Sequence, residues 1–208
     1  MTEPRLWDTP EATRAGALER LLASPRCPGP GDILLAITAE FRPVLAGRVS
    51  FRLDEFARML FDVAPARDAR AASHRLAALL TDELQFRTDE SSVDGLWFDA
   101  ALERRAGHPL AVAAVTAEIG LRAGLAVGIC STPTGWYAGI GEPDRLWLID
   151  PVIDPGPTPT GPVRRHCGHE VGFAALTGIY ARLVRDGDQA GAHRAARLRG
   201  RLPVSRHE

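Results

Sequence analysis

Two histidines and a cysteine, residue types that bind metals and carry catalysis, lie within four positions at His166-Cys167-Gly168-His169. Imidazole nitrogen and thiolate sulfur are ligands that Zn²⁺ prefers, but a closed zinc site needs four ligands. Cys27 and Asp154 are the available fourth donors, and spacing alone places neither of them there. His166, Cys167 and His169 are therefore candidate metal ligands. The interpretation we favour is a solvated turn, Arg164-Arg165-His166, before a helix, and it predicts no cofactor.

A second kind of chemistry is nucleophilic catalysis by Cys130 with His108 as its base. His108 comes just before a predicted helix and Cys130 ends a predicted strand, so the two side chains could lie within reach. A reactive thiol needs a neighbour that lowers its pKa, and the sequence shows none beside Cys130. A cysteine in a buried strand is more often an inert small hydrophobe. A cysteine-dependent hydrolase or acyl or amide transferase using this pair is kept as the alternative function.

Composition excludes several classes of chemistry. All 25 basic side chains are arginines, so no lysine can form a Schiff base or reach a nucleotide phosphate. The net charge of −1 lacks the basic excess that is typical of nucleic-acid-binding domains. The cysteines have no CxxC spacing, the N-terminus has no apolar signal segment, and no apolar run approaches the length of a membrane span. We expect a cytoplasmic protein that binds neither nucleic acid nor a membrane.

The first half of the chain predicts a helical N-terminal part over residues 1–86. Thr9-Pro10-Glu11 is typical of a helix start, and three leucines follow at helical spacing. Asp32 can cap the next helix. Apolar periodicity places the later helices over Ile33–Phe41, Leu53–Val63 and Ala66–Leu84.

A central region over residues 87–160 changes from helices to strands. After an aperiodic loop at Arg87–Gly95, Trp97–Arg105 predicts a helix that ends in a left-handed glycine, Gly107. Pro109–Ala123 is apolar on almost every side, which is typical of a helix in the middle of a core. Short apolar runs separated by turn residues then predict an antiparallel meander, with strands at Leu125–Cys130, Trp136–Ile140 and Leu146–Asp150.

The last part, residues 161–208, predicts a helical hairpin of Gly168–Arg185 and Gln189–Leu202, after a proline-rich loop. On the neighbouring strands, Trp136 and Trp147 are expected to form a cross-strand aromatic pair. The predicted fold class is α+β: a helical N-terminal layer, a buried central helix on a small antiparallel sheet, and a C-terminal helical hairpin. The three parts are expected to form one compact unit.

Three segments resemble the SirB-type transglutaminase-like family of bacteria. They are Thr81–Asp89 (TDELQFRTD), Leu102–Gly124 (LERRAGHPLAVAAVTAEIGLRAG) and Trp147–Pro151 (WLIDP). The resemblance is good from about Leu79 to Ile153. It is looser over Val171–Pro203, where the family carries tetratricopeptide-type helices after its transglutaminase-like core.

Active members of the wider superfamily use a cysteine at the start of the buried helix, a histidine on the strands that follow, and an Asp or Asn. By this resemblance the cysteine position falls on Pro109 and the histidine position on Trp136, and the acid is retained as Asp150. Neither proline nor tryptophan can act as nucleophile or base, so the resemblance implies a pseudoenzyme. Asp150 is expected to hydrogen-bond the loop that follows it, and Trp136 to fill the cleft.

Basic side chains concentrate in the tail. Arg194, Arg197 and Arg201 share one helix face, and the planar guanidinium suits recognition of carboxylates. We therefore expect a non-catalytic transglutaminase-like module that acts as a protein-interaction or regulatory scaffold, with these arginines contacting an acidic protein partner.

Overall fold

The computed structural model describes residues 16–60, 68–142, 145–149 and 161–203. Within them it confirms the α+β class, with helices packed around one central helix and a small sheet. The helix start predicted at Thr9, Asp150 and most of the proline-rich loop lie outside the described residues.

The helical N-terminal layer is present, with different helix limits. The third helix begins earlier than predicted because Val49 continues the apolar face of Leu53 and Phe56 toward the N-terminus, and all three are buried. The fourth helix ends in a π-helical turn over Leu79–Glu83. The bounds are α1 Ala17–Ala23, α2 Pro30–Phe41, α3 Ala46–Arg58 and α4 Ala69–Ala78.

The segment predicted as an aperiodic loop contains regular structure. Strand β1 (Arg87–Thr88) pairs in parallel with β2 (Ala106–Gly107), and a 3₁₀ turn covers Val93–Leu96. Helix α5 (Phe98–Arg104) ends with Arg105 in the left-handed region at φ 52°. The prediction that Gly107 caps this helix was therefore wrong. Gly107 is required for close approach, since an added Cβ would lie 2.7 Å from the Gly95 carbonyl oxygen.

Helix α6 (Pro109–Arg122) lies at the centre of the core, as its all-round apolar pattern predicts. Every residue from Leu110 to Gly120 is buried, and α6 packs against α2, α3, α5 and the sheet. Its buried carboxylate, Glu118, accepts a hydrogen bond of 3.2 Å from the Gly31 N–H at the start of α2. Buried side chains of all three predicted parts meet in this core.

The sheet has four strands among the described residues, in the order β5-β4-β3-β6. The predicted meander is present as β3 (Val127–Thr132), β4 (Gly135–Glu142) and β5 (Arg145–Ile149). The prediction of a solvated turn at Arg164-Arg165-His166 was wrong, because these residues form β6 and pair antiparallel with β3. His166 lies opposite Ile129 in this register.

The expected tryptophan pair was also wrong. Trp147 lies opposite Ile140 on β4, so Trp136 is displaced along the strand from it. The Trp147 ring instead packs near His74, and the Arg70 guanidinium lies 5.3 Å from its centroid.

The C-terminal hairpin consists of α7 (Gly168–Arg185), as predicted, and α8 (Gln189–Arg199), which ends before Leu202. Asp188 caps α8 by accepting a 2.9 Å bond from the Gly191 N–H. Helix α7 packs closely on α2, since an added Cβ at Gly172 would lie 3.0 Å from Ile33. Among the described residues, no helix combines the length and apolar character needed to cross a membrane.

Candidate functional site

The end of α6 lies against the start of β3, since an added Cβ at Gly120 would lie 2.5 Å from Val127. Helix α6 also packs against β3 and β4. By the resemblance, superfamily members carry their nucleophile at the start of this helix and their base on the strands that follow it.

His108 and Pro109 form the start of α6. The Nδ1 atom of His108 accepts a 3.2 Å hydrogen bond from the Leu110 N–H, so His108 acts as the helix N-cap. Its neutral ring consequently carries the proton on Nε2, which lies 3.7 Å from Glu90 Oε2. Pro109 occupies the first helical position, where its missing N–H costs nothing.

The environment of His108 holds its ring neutral. The pKa of His108 is lowered to about 4, mainly by burial and also by the positive charge of Arg182, and Glu90 opposes both effects. Arg182 lies 3.8 Å from the same Glu90 carboxylate. At neutral pH the ring is therefore a capping acceptor with little affinity for a second proton.

Trp136 stands at the beginning of β4. Its indole ring is half-buried, packs against the main core, and lies 4.7 Å from the His166 ring between centroids. The indole has no basic atom, so it cannot take a proton from a thiol. Of the inherited positions, the structure thus describes Pro109 and Trp136, while Asp150 lies outside the described residues.

A hydrogen-bonded pair, Ser131 and His166, lies beside Trp136 with the Glu170 carboxylate nearby, and Ser131 and Glu170 were not among the residues predicted from the sequence. Ser131 Oγ is 2.7 Å from His166 Nε2, and His166 Nδ1 is 3.7 Å from Glu170 Oε2. Burial lowers the pKa of His166, with Arg164 in the same direction and Glu170 opposing. A neutral imidazole between a hydroxyl and a carboxylate is the arrangement that activates a serine nucleophile.

Glu170 also has a structural role in this network. Its Oε2 accepts a 3.0 Å bond from the Cys167 N–H, which ties the carboxylate to the first turn of α7. Its Oε1 accepts from the Arg164 guanidinium. The carboxylate is therefore held firmly beside His166.

The structure does not bring Cys130 and His108 together. Cys130 lies opposite Tyr137 and Arg165, on the face of the sheet that packs against Leu146 and Leu148 rather than against α6. His108 caps α6, which covers the other face. Burial raises the pKa of the Cys130 thiol, with Arg165 opposing, so this cysteine has the character of a core residue.

The candidate metal set is brought together with one change of member. The structure brings Cys27, rather than His166, to Cys167 and His169, and one donor atom from each lies within 4.8 Å of the others. Burial raises the pKa of the Cys27 thiol, as does the neighbouring Cys167, against hydrogen bonds from the backbone N–H groups of His169 and Gly168. His166 is instead engaged with Ser131.

The three arginines predicted to bind a partner are all exposed. Arg194 donates a 2.8 Å bond to the Glu40 carbonyl at the end of α2, and Arg201 donates a 2.9 Å bond to Glu19 of α1. These two arginines thus contribute to holding the hairpin on the N-terminal layer. The expectation that all three share one helix face was wrong for Arg201, because α8 ends at Arg199.

A buried helix packed on a small antiparallel sheet is the arrangement that the resemblance implies for a transglutaminase-like core. A profile described as the Transglutaminase-like superfamily matches residues 47–155, which is just over half of the chain. The chain therefore belongs to the transglutaminase-like superfamily. No curated protein matches the chain, and no solved structure matches it.

Proposed function

We propose that the protein is a SirB-type transglutaminase-like module that performs no thiol chemistry at the inherited cleft and acts as a protein-interaction or regulatory scaffold. One observation carries this proposal: α6 begins with Pro109 where the resemblance assigns the nucleophile, and β4 presents Trp136 where it assigns the base. Thiol catalysis needs both a thiolate and a proton acceptor. Neither residue can supply one.

The packing of these two residues supports the same proposal. Pro109 follows an N-cap that is completed by the His108 ring, and the Trp136 ring is held against His166 and the core. Both positions therefore serve the fold by ordinary structural contacts. The family's tetratricopeptide-type extension corresponds to α7 and α8, which form the proposed interaction part.

The proposed contact surface is formed by Arg194 and Arg197 of α8 and by Arg201, which follows the end of that helix. Because Arg194 and Arg201 each have an intramolecular acceptor, reversing their charge would also disturb the hairpin. Arg197 is the cleaner probe. A partner with an acidic segment would meet the planar guanidinium groups of this surface.

Two measurements test this function. First, an amine-incorporation assay with a glutamine peptide is expected to give no turnover with the wild-type protein, and wild-type turnover that is lost when Pro109 or Trp136 is replaced by alanine would contradict the proposal. The Pro109→Cys/Trp136→His double variant places a thiol and an imidazole back at the inherited positions. Turnover by this variant alone would show that the cleft geometry is retained and the chemistry is missing.

Second, binding of a fluorescent acidic peptide is expected to weaken about tenfold in Arg197→Glu, the order of effect that a contacting charge has on binding. Arg58→Glu, an exposed reversal on α3, is the matched control and should change binding little. Equal weakening in both variants would show only non-specific attraction to positive charge and would remove α8 from the proposal.

A second candidate function is favoured by the Ser131–His166–Glu170 network. In serine-type acyl transfer, Ser131 Oγ would attack an ester carbonyl while His166 Nε2 takes the hydroxyl proton and later gives it to the leaving alcohol. Labelling by a fluorophosphonate probe in wild-type protein, lost in both Ser131→Ala and His166→Gln, would support this candidate. Absence of labelling at Ser131 would remove it.

A further inference from the structure

The donor cluster at the start of α7 is built from two segments that are far apart in sequence. Cys27 lies in the connection between α1 and α2, Cys167 immediately precedes α7, and His169 lies in its first turn. Two sulfur atoms and one imidazole nitrogen, all within 4.8 Å of one another, are close enough to share a single ion after small adjustments.

Tight backbone packing fixes the distance between these segments. An added Cβ at Gly168 would lie 2.0 Å from the Pro28 carbonyl oxygen, so the chain after Cys27 and the chain after Cys167 are in direct contact. Further along, the close approach of Gly172 to Ile33 and Ile37 joins α7 to α2. The donors therefore converge on a preformed position.

Two backbone N–H groups at the start of α7 face the Cys27 sulfur. The backbone N–H groups of Gly168 and His169 are hydrogen-bonded to the Cys27 sulfur, and the start of a helix stabilises negative charge. Hydrogen bonds of this kind orient metal-bound ligands and tune their basicity. The adjacent carboxylate, Glu170, is already engaged by the Cys167 N–H and Arg164, so it is not counted among the ligands.

We propose that Cys27, Cys167 and His169 bind one Zn²⁺ ion and thereby clamp the α1–α2 connection to the start of α7. Two thiolates and an imidazole are a donor set that selects zinc among the common divalent ions. Because Cys27 is exposed, a solvent molecule completes the fourth position. The site is independent of the inherited cleft and of the scaffold function proposed above.

Zinc binding is measured by competition with a chromophoric chelator, using full-length protein that was reduced and stripped of metal. The wild-type protein is expected to bind one equivalent, and Cys27→Ser, Cys167→Ser and His169→Gln should each weaken binding by at least about 100-fold, since loss of outer-shell partners alone costs 10–100-fold. Cys130→Ala, which removes the core thiol, is the matched control and should bind as wild type.

Cobalt substitution identifies the ligands directly. Wild-type protein loaded with Co²⁺ should show thiolate-to-metal charge-transfer absorption. This absorption should be reduced in Cys27→Ser and in Cys167→Ser, and absent in the Cys27→Ser/Cys167→Ser double variant. Circular dichroism checks that the variants are folded. The proposal would be overturned if a folded Cys27→Ser protein bound zinc as tightly as wild type, or if the wild-type cobalt complex showed no thiolate band.

Discussion

The starts of helices α6 and α7 differ in what their backbone N–H groups bind. At the start of α6 the His108 ring occupies the Leu110 N–H and Pro109 offers no N–H, so the helix end has little left with which to stabilise an anion. At the start of α7 the N–H groups of Gly168 and His169 are hydrogen-bonded to the Cys27 sulfur. The start of α6 is capped by its own histidine, whereas the start of α7 lies beside two cysteine thiols.

The buried length of α6 and its first residues contribute differently to the fold. Helix α6 still lies buried on the sheet, because its packing depends on apolar residues along its length. Its first residues, His108 and Pro109, provide a cap and a proline, and we expect that they can be replaced without disturbing that packing. We therefore expect α6 and α7 to respond differently to substitution at their first residues.

The largest effect is expected from Gly168→Ala at the start of α7. The added Cβ would lie 2.0 Å from the Pro28 carbonyl oxygen, a backbone atom that cannot move aside easily. We expect a loss of about 3 kcal/mol or more in the free energy of unfolding, measured by urea denaturation. Gly47→Ala in α3 meets nothing within 4 Å, and it should be neutral or slightly stabilising. Equal losses in the two variants would contradict the close approach.

The pH dependence of stability tests the start of α6. The pKa of His108 is about 4 in the folded protein and ordinary in the unfolded chain, so between these values only the unfolded state takes up the proton. Stability should therefore fall as pH decreases from about 6.5 to about 4, by about 3 kcal/mol at most for this group.

His108→Asn is the matched variant, because asparagine keeps a capping acceptor for the Leu110 N–H. Its stability should depend less steeply on acid pH, while the contribution of His166, which has the same sign, stays in both proteins. Parallel pH profiles for wild type and variant would show that His108 is not held neutral by burial and by Arg182.

Ser131→Ala tests the hydrogen bond between Ser131 of β3 and His166 of β6, the strand that leads into α7. The variant leaves His166 Nε2 without its 2.7 Å partner on a ring whose side chain is 8% exposed. We expect a loss of about 1–2 kcal/mol in unfolding free energy. Thr134→Ala, an exposed hydroxyl in the same hairpin, should change it by less than about 0.5 kcal/mol. An equally small change in both would mean that the Ser131–His166 bond contributes nothing to stability.

Elements whose sequence pattern is local could be predicted, whereas elements that depend on pairing with distant residues could not. Helix α7 shows its limits in sequence because an apolar face runs between Gly168 and a clear stop at Asp186-Gly187-Asp188. Strand β6 has no apolar residue, and its alternation has meaning only once His166 is paired with Ile129. The left-handed Arg105 likewise depends on β2 pairing beyond it.

For the candidate metal site, the residue types could be predicted from the sequence, but the complete set of ligands could not. Cys167 and His169 attract attention by their spacing, yet Cys27 joins them only through the packing of α2 against α7. Ser131 was missed because the predicted strand ended at Cys130, one residue earlier. Ser131 and Cys130 lie on opposite faces of the sheet. The face that each residue occupies follows from strand register, which the sequence pattern did not determine.

The smallest effect is expected from Pro109→Ala, at the position that the resemblance assigns to the nucleophile. Alanine introduces an N–H at a helix position where none is required and relaxes the unfolded chain, so the unfolding free energy should fall by about 0.5 kcal/mol. Urea denaturation measures this change in unfolding free energy in parallel with that of Gly168→Ala. A loss above about 2 kcal/mol would mean that the proline ring is itself packed into the cleft. The start of α6 would then be a filled structural element, and the contrast with the thiol-bearing start of α7 would become one of packing as well as of charge.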